Sequence, residues 1–477
     1  MQTVSFICDA VEQDREKYIE LAKEIWRYAE LCFEEKQSAA ALCQVLEDEG
    51  FRVQKNAAGL STAFVAEAGQ GAPVIGFLGE YDALDGLSQE ADVARREPLV
   101  EGGPGHGCGH HALGVGALAG AIAAWRYLRS SGLTGTVRYY GCPAEEGGGG
   151  KVLMASAGLF NDCTAALTWH PTCYNSIWSC NFLATRTITF AFEGFAAHST
   201  MQPQLGRSAL EAVELTSVGA NYLRGHVERD VFINGAVLDA GPTAPNIIPA
   251  HAAVRYLLRA PTQRQVHETA LRLYDVARGA ALMSGTKLTI TVDAGLSELV
   301  ANRTLEKLAH KSFSQVGVAP VSQEDLDFAL AIQKTLPPGA EESTFANLRY
   351  LYRDRANEII EAIRGKRVEE ILYPYVAMDH PKFGSTDVCD VSWFTPTVQV
   401  TAACYAKDTP GHSWQIVAQG KRALCMNAML TAGKVLALTA VRLFESPQEV
   451  AAVREEFSRA MQGKIYLCPI PQERVFH

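Results

Sequence analysis

The sequence predicts an α/β fold: a larger domain with a mostly parallel sheet flanked by helices, and an inserted α+β, ferredoxin-like domain. Three observations carry this. Before residue 184, short apolar runs bounded by turn residues alternate with segments of helical spacing, the pattern of βαβ units. Near residue 185 the pattern changes to alternation at period 2. Around Ala301 the first pattern resumes. The larger domain is therefore expected at 1–184 and 300–477, and the inserted one at 185–299.

The elements follow in order. Tyr18, Ile19, Ala22, Ile25, Trp26 and Ala29 recur at helical spacing, predicting a helix within 11–31, and a second is expected over 38–49, stopped by Gly50. The apolar runs 62–67, 74–78, 136–140 and 165–169 predict strands. A long helix of small residues is expected over 111–129. The inserted block predicts β-α-β-β-α-β order, with strands at 185–193, 252–258 and 287–293 and helices at 207–223 and 262–282. Residues 322–383 are polar and charged, an elaboration of the larger domain, which ends in a helix over 415–444.

Composition bounds the function. The chain has 477 residues, 48% hydrophobic and 20% charged, which excludes disordered and collagen-like classes. Lys+Arg is 43 against Asp+Glu 53, a net charge of -10, so no nucleic-acid-binding face is expected. The apolar stretch 112–124 is shorter than the ~20 residues of a membrane span, and no span is expected. The first residues carry Asp9 and no basic segment ahead of an apolar run, so no signal peptide is expected. Twelve unevenly spaced cysteines do not read as a disulfide framework, which points to reduced thiols and the cytoplasm. Gly147–Gly150 lacks phosphate-loop order, and no dinucleotide fingerprint joins a strand to a helix.

Polar residues cluster at the expected strand ends, where α/β sheets collect ligands. The first cluster is Gly105-His106-Gly107-Cys108-Gly109-His110-His111. A thiolate and imidazoles this close suit a transition metal, and the glycines permit a tight turn. The second is Glu145-Glu146, where one carboxylate can bind metal while its neighbour holds water, or both form a solvated acidic turn. His170 ends a strand and His412 precedes the last helix. Together these supply Cys108, His110, Glu146, His170 and His412, too many donors for one catalytic zinc and enough for two cations sharing a bridging group. Asp82 is read as orienting a histidine ligand.

The ordered set Gly-His-Gly-Cys-Gly-His at 105–110, Glu-Glu-Gly at 145–147, Trp-His-Pro at 169–171, Gly-Phe-Ala-Ala-His at 194–198, Pro-Asn-Ile-Ile-Pro at 245–249 and Gly-His-Ser-Trp at 411–414 resembles the M20 metallopeptidases. The branch is that of the amidohydrolases with Cys-Gly-His in place of a bridging aspartate. The resemblance implies that Cys108, His110, Glu146, His170 and His412 ligate two divalent ions, manganese or zinc, with Glu145 as general base and acid. It implies that the inserted domain mediates a homodimer, or a heteromer with a paralogous chain of the A type, and that His198 reaches the partner's site to stabilise the oxyanion. Asn246 and Arg259 would contact substrate, Arg259 at a carboxylate. The implied substrate is an N-acyl amino acid, p-aminobenzoyl-glutamate, with dipeptides and other N-acyl amino acids, or the role of a weakly active partner in a heteromer, as alternatives. On their own residues alone, His198 and Asn246 also suit turns and Arg259 a surface ion pair. His111 stands where many members carry Asp or Asn, a second imidazole able to compete for metal.

Overall fold

The apolar runs of the first pattern form one seven-stranded sheet. Its labelled strands are β1 (Arg52–Lys55), β2 (Phe64–Gln70), β3 (Val74–Glu80), β4 (Gly135–Cys142), β5 (Ala165–Thr172) and β6 (Ser176–Ile177); strand Thr397–Ala403 lies between β5 and β6. The order is β1-β2-β4-β3-β5, then Thr397–Ala403, then β6. β3 pairs in parallel with β4 and β5, and β5 pairs in parallel with Thr397–Ala403. The outer pairings, β1 with β2, β2 with β4, and Thr397–Ala403 with β6, are antiparallel. This computed structural model describes residues 2–378, 381–382, 384–471 and 473–476.

Two compact units divide the chain. The first comprises Met1–Asn181, Val300–His380 and Val391–Lys464. Every residue of Thr397–Ala403 and nearly every residue of β3 is buried, as expected for parallel strands covered on both faces. The central helix, His110–Ser131, packs backbone to backbone against helix Ala423–Glu445: a Cβ on Gly433 would stand 2.8 Å from the Gly116 carbonyl oxygen. Helix Ala423–Glu445 is long and apolar enough to cross a membrane, with mean hydropathy 1.5, although no span was expected; 89% of that apolar window is buried inside the protein.

The helix expected within 11–31 is Arg15–Tyr28, and a further helix, Gln2–Glu12, precedes it. The helix expected over 415–444 breaks into Trp414–Gln419 and Ala423–Glu445, because the Gly420 carbonyl turns to the imidazole of His111, 2.8 Å from Nε2. The 322–383 elaboration is helical, with Gln323–Gln333 (capped by Ser322), Ala340–Tyr352 and Ala356–Ile363; residues 379, 380 and 383 lie outside the described residues.

The second unit holds Phe182–Leu299, Pro381–Asp390 and Ile465–His477. Its antiparallel sheet runs Val475–Phe476, Lys287–Leu296, Ala184–Glu193, His251–Ala260, Phe232–Asp239. Helices Ala209–Arg224 and Gln263–Ser284 share a core with Ile188, Phe190, Val254 and Leu258 of this sheet. The segments 381–390 and 465–477 were expected in the larger domain. They cluster with the second unit because Val475–Phe476 extends its sheet and Asp390 accepts hydrogen bonds from Ser297 and Tyr466.

Candidate metal centre

The polar residues gather beyond the carboxyl ends of β3, β4 and β5 and after strand Thr397–Ala403. β3 ends on Glu80, with Asp82 just beyond, and both are buried. The glycine loop delivers Cys108, and His110 opens the central helix. Between them Gly109 takes φ 83°, and a Cβ there would stand 2.1 Å from the Tyr405 hydroxyl oxygen, so only glycine fits. β5 carries His170, whose Nδ1 donates to its neighbour Pro171 at 2.9 Å and leaves Nε2 facing the Cys108 sulfur at 3.4 Å. His412, at φ 54° and exposed, puts Nε2 3.5 Å from Glu146 Oε2.

Asp82 organises the centre. Its Oδ1 accepts from His110 Nδ1 at 2.8 Å and its Oδ2 from the Glu146 backbone N–H at 2.9 Å. The first bond places a proton on His110 Nδ1 and turns Nε2 inward. Burial opposes ionisation of Asp82, but His110 outweighs it and keeps the carboxyl below its usual range.

Two residues outside the sequence-derived set shape the same pocket. Glu35, fully buried, accepts from the Ala144 N–H at 2.8 Å and from the Thr62 hydroxyl at 2.9 Å. It thereby pins the Ala144-Glu145-Glu146 turn, whose Ala144 sits in the left-handed region at φ 58°. Burial pushes the Glu35 carboxyl up to about 7. The second is Glu80, whose Oε2 is 3.3 Å from His110 Nε2 and whose Oε1 is 2.7 Å from the buried ammonium of Lys151. The Gly-Glu-Tyr-Asp end of β3 is visible in the sequence as a polar cluster; Glu35 and Lys151 carry no signal of this kind.

Among the described residues, three donor groups have ligand atoms within 4.8 Å of one another: Cys108 with His110 and His170, Cys108 with Glu146 and His412, and Glu80 with His110 and Glu145. Glu80 Oε2, His110 Nε2 and Glu146 Oε1 are buried without a hydrogen-bond partner, and His110 Nε2 is 3.9 Å from that Glu146 oxygen. Carboxylate oxygens buried without a partner around one imidazole nitrogen favour a cation among them. Burial also raises the Cys108 thiol, so a thiolate here calls for nearby positive charge. The donor set of sulfur, imidazole and carboxylate thus fits a pair of transition-metal ions sharing Cys108. His111 belongs to none of these groups and is committed to Gly420.

The remaining predicted residues lie in the second unit. His198 bridges to Ile247, and the Ser199 N–H donates to the Asn246 carbonyl at 3.0 Å, so the two turns are joined. His198 Nδ1 accepts backbone N–H groups of Thr200 and Met201, both at 3.3 Å, which leaves the proton on Nε2 as a donor. Arg259 is not brought to these turns. The ladder pairs Glu193 with His251 and Thr185 with Arg259, so Arg259 lies at the opposite strand end, about 26 Å from His251 at ~3.3 Å per residue. One chain cannot present both Asn246 and Arg259 to one small substrate.

No family model matches the chain. It is 40% identical over 467 residues to the B subunit of p-aminobenzoyl-glutamate hydrolase from Escherichia coli (strain K12), covering 98% of this chain and 97% of that protein. The chain belongs to the M20 family of metallohydrolases. The A subunit of the E. coli hydrolase is 32% identical over 233 residues, 46% of this chain and 52% of that one. The fold agrees with a dinuclear metal-binding M20 peptidase from Bacillus subtilis, at TM-score 0.56 and 17% identity, over 91% of this chain and 99% of that one. As an M20 hydrolase, the chain places its donor residues on the same parallel-sheet scaffold that its relatives share.

Proposed function

We propose that the chain hydrolyses p-aminobenzoyl-glutamate to p-aminobenzoate and glutamate in the cytoplasm. The reading is supported chiefly by the convergence of Cys108, His110, Glu146, His170 and His412 around unpartnered buried acceptors, in a chain 40% identical to the B subunit of the E. coli hydrolase. Those five residues would hold two ions, manganese or zinc. When bound, such ions supply Lewis-acid charge that acidifies water and polarises a carbonyl.

The chain's own groups do the rest. Glu145 takes a proton from the attacking water and returns it to the leaving amine nitrogen, which is a poor leaving group as an anion. Glu35 and Asp82 fix the turn that aims it, through the Ala144 and Glu146 N–H groups. His198 of the partner subunit donates from Nε2 to the oxyanion, and Arg259 binds a substrate carboxylate. The separation of Arg259 from the His198–Asn246 turns favours a site completed across two protomers, joined through the second unit. The partner is a second copy of this chain or a paralogue resembling the A subunit of the E. coli hydrolase. None of the twelve cysteines, all among the described residues, is in a disulfide, which fits a reducing compartment.

The test is incubation of manganese-loaded protein with p-aminobenzoyl-glutamate, with and without a paralogous chain, beside a panel of dipeptides and other N-acyl amino acids. Release of p-aminobenzoate and glutamate supports the proposal. Activity confined to the panel overturns the substrate, and none under any pairing overturns the function.

A further inference from the structure

The geometry points to Glu80 as a sixth protein donor to the metal centre, held in place by Lys151. The inference rests on the dinuclear reading above and adds to it. Lys151 is fully buried in the first turn of helix Gly150–Ser156, where an ammonium is tolerated only beside a counter-charge. Glu80 supplies that charge at 2.7 Å through Oε1. The ion pair sets the direction of its other oxygen.

That oxygen, Oε2, points at His110 Nε2 from 3.3 Å, and neither atom has a hydrogen-bond partner. The His110 Nδ1 proton goes to Asp82, so Nε2 is the atom that a bound cation would take, and Glu80 Oε2 stands beside it. Ligand atoms that share one ion at ~2.0–2.2 Å stand about 3–3.5 Å apart, which is the separation seen. The Cys108–His170 contact, at 3.4 Å, has the same spacing. Charge also favours the arrangement: Glu80 and Lys151 together add none, so a carboxylate donor joins without reducing the centre's net positive charge. Lys151 acts on the ion only through Glu80 and is a positioning residue.

The test is metal binding, read separately from turnover. Wild type, Glu80→Gln, Lys151→Met and Glu80→Gln/Lys151→Met are loaded with manganese and dialysed. Bound ions per chain are counted by elemental analysis, affinities come from chelator competition, and circular dichroism checks the fold. The expected result is two ions in wild type, with one of them weakened at least about tenfold in Glu80→Gln and in the double variant, and a smaller loss in Lys151→Met. The double variant leaves no unpaired buried charge, so it reports on the donor where the single variant fails to fold. Two ions at unchanged affinity in either folded Glu80 variant overturn the inference and leave the dinuclear reading intact. A wild-type chain that binds no divalent ion overturns both. A crystal structure of the manganese-loaded wild type decides without any variant: Glu80 Oε2 within about 2.3 Å of an ion supports the inference, and beyond about 2.3 Å overturns it.

Discussion

Asp82 holds two parts of the centre with one carboxylate: the imidazole of His110 at 2.8 Å and the backbone N–H of Glu146 at 2.9 Å. In Asp82→Asn one of these bonds meets an amide N–H instead of an oxygen. Manganese affinity is expected to fall about 10–100-fold, measured by chelator competition, with turnover falling in step.

In the proposed mechanism Glu145 moves the proton, and the five proposed donors, Cys108, His110, Glu146, His170 and His412, do not include it. Glu145→Gln should lower kcat by about 10²–10⁴-fold while two ions per chain remain by elemental analysis. A variant with wild-type turnover would remove Glu145 from the mechanism.

Glu35 tests whether the turn needs its pin. Glu35→Gln keeps an oxygen for the Ala144 N–H and an amide that the Thr62 hydroxyl can accept, so kcat should stay near wild type. Glu35→Ala releases the strained Ala144 turn, and kcat should fall about 10–100-fold with KM little changed. Equal effects of the two variants would show that the charge of Glu35 matters rather than its position.

Gly109 joins two of the donors through a backbone that rejects a side chain. Gly109→Ala places a methyl against the Tyr405 hydroxyl in a left-handed conformation, for which about 1–2 kcal/mol of strain and about 1–3 kcal/mol of overpacking are expected. Thermal unfolding of the metal-free protein measures the loss.

Asp390, in the second unit, predicts a pH effect. Burial pushes its carboxyl up to about 7, against the hydrogen bonds from Ser297 and Tyr466 and with the charge of Asp387 adding to the rise. The folded state then binds this proton more tightly than the unfolded state does. Its contribution to stability is full below about pH 4 and is lost as pH rises through about 7. Asp390→Asn does not titrate, so the variant should gain on wild type by up to about 3 kcal/mol between pH 5 and pH 8, read from unfolding of the metal-free proteins.

What could be read without coordinates divides along physical lines. β3, β4 and β5 were legible because strands buried on both faces carry unbroken apolar runs. Phe232–Asp239 was not, since Ile233 is its one buried residue, Gly235 interrupts it, and nothing periodic remains. The break at Gly420 depends on His111, 309 positions away, which no local pattern encodes. Among the proposed donors, Cys108 and His110 stood out because they fall together in one glycine-rich loop. Glu80 showed only as part of the polar end of β3 and Glu35 not at all, since each acquires its role from a buried partner, Lys151 or the Ala144 amide, supplied by another element.

The placement of Arg259 and the His198–Asn246 turns at opposite ends of strand His251–Ala260 carries a kinetic consequence. Under the proposed completion of the site across two protomers, mass action makes the rate in dilute solution rise with the square of protomer concentration. Expression level, as much as turnover number, would then set how fast substrate disappears.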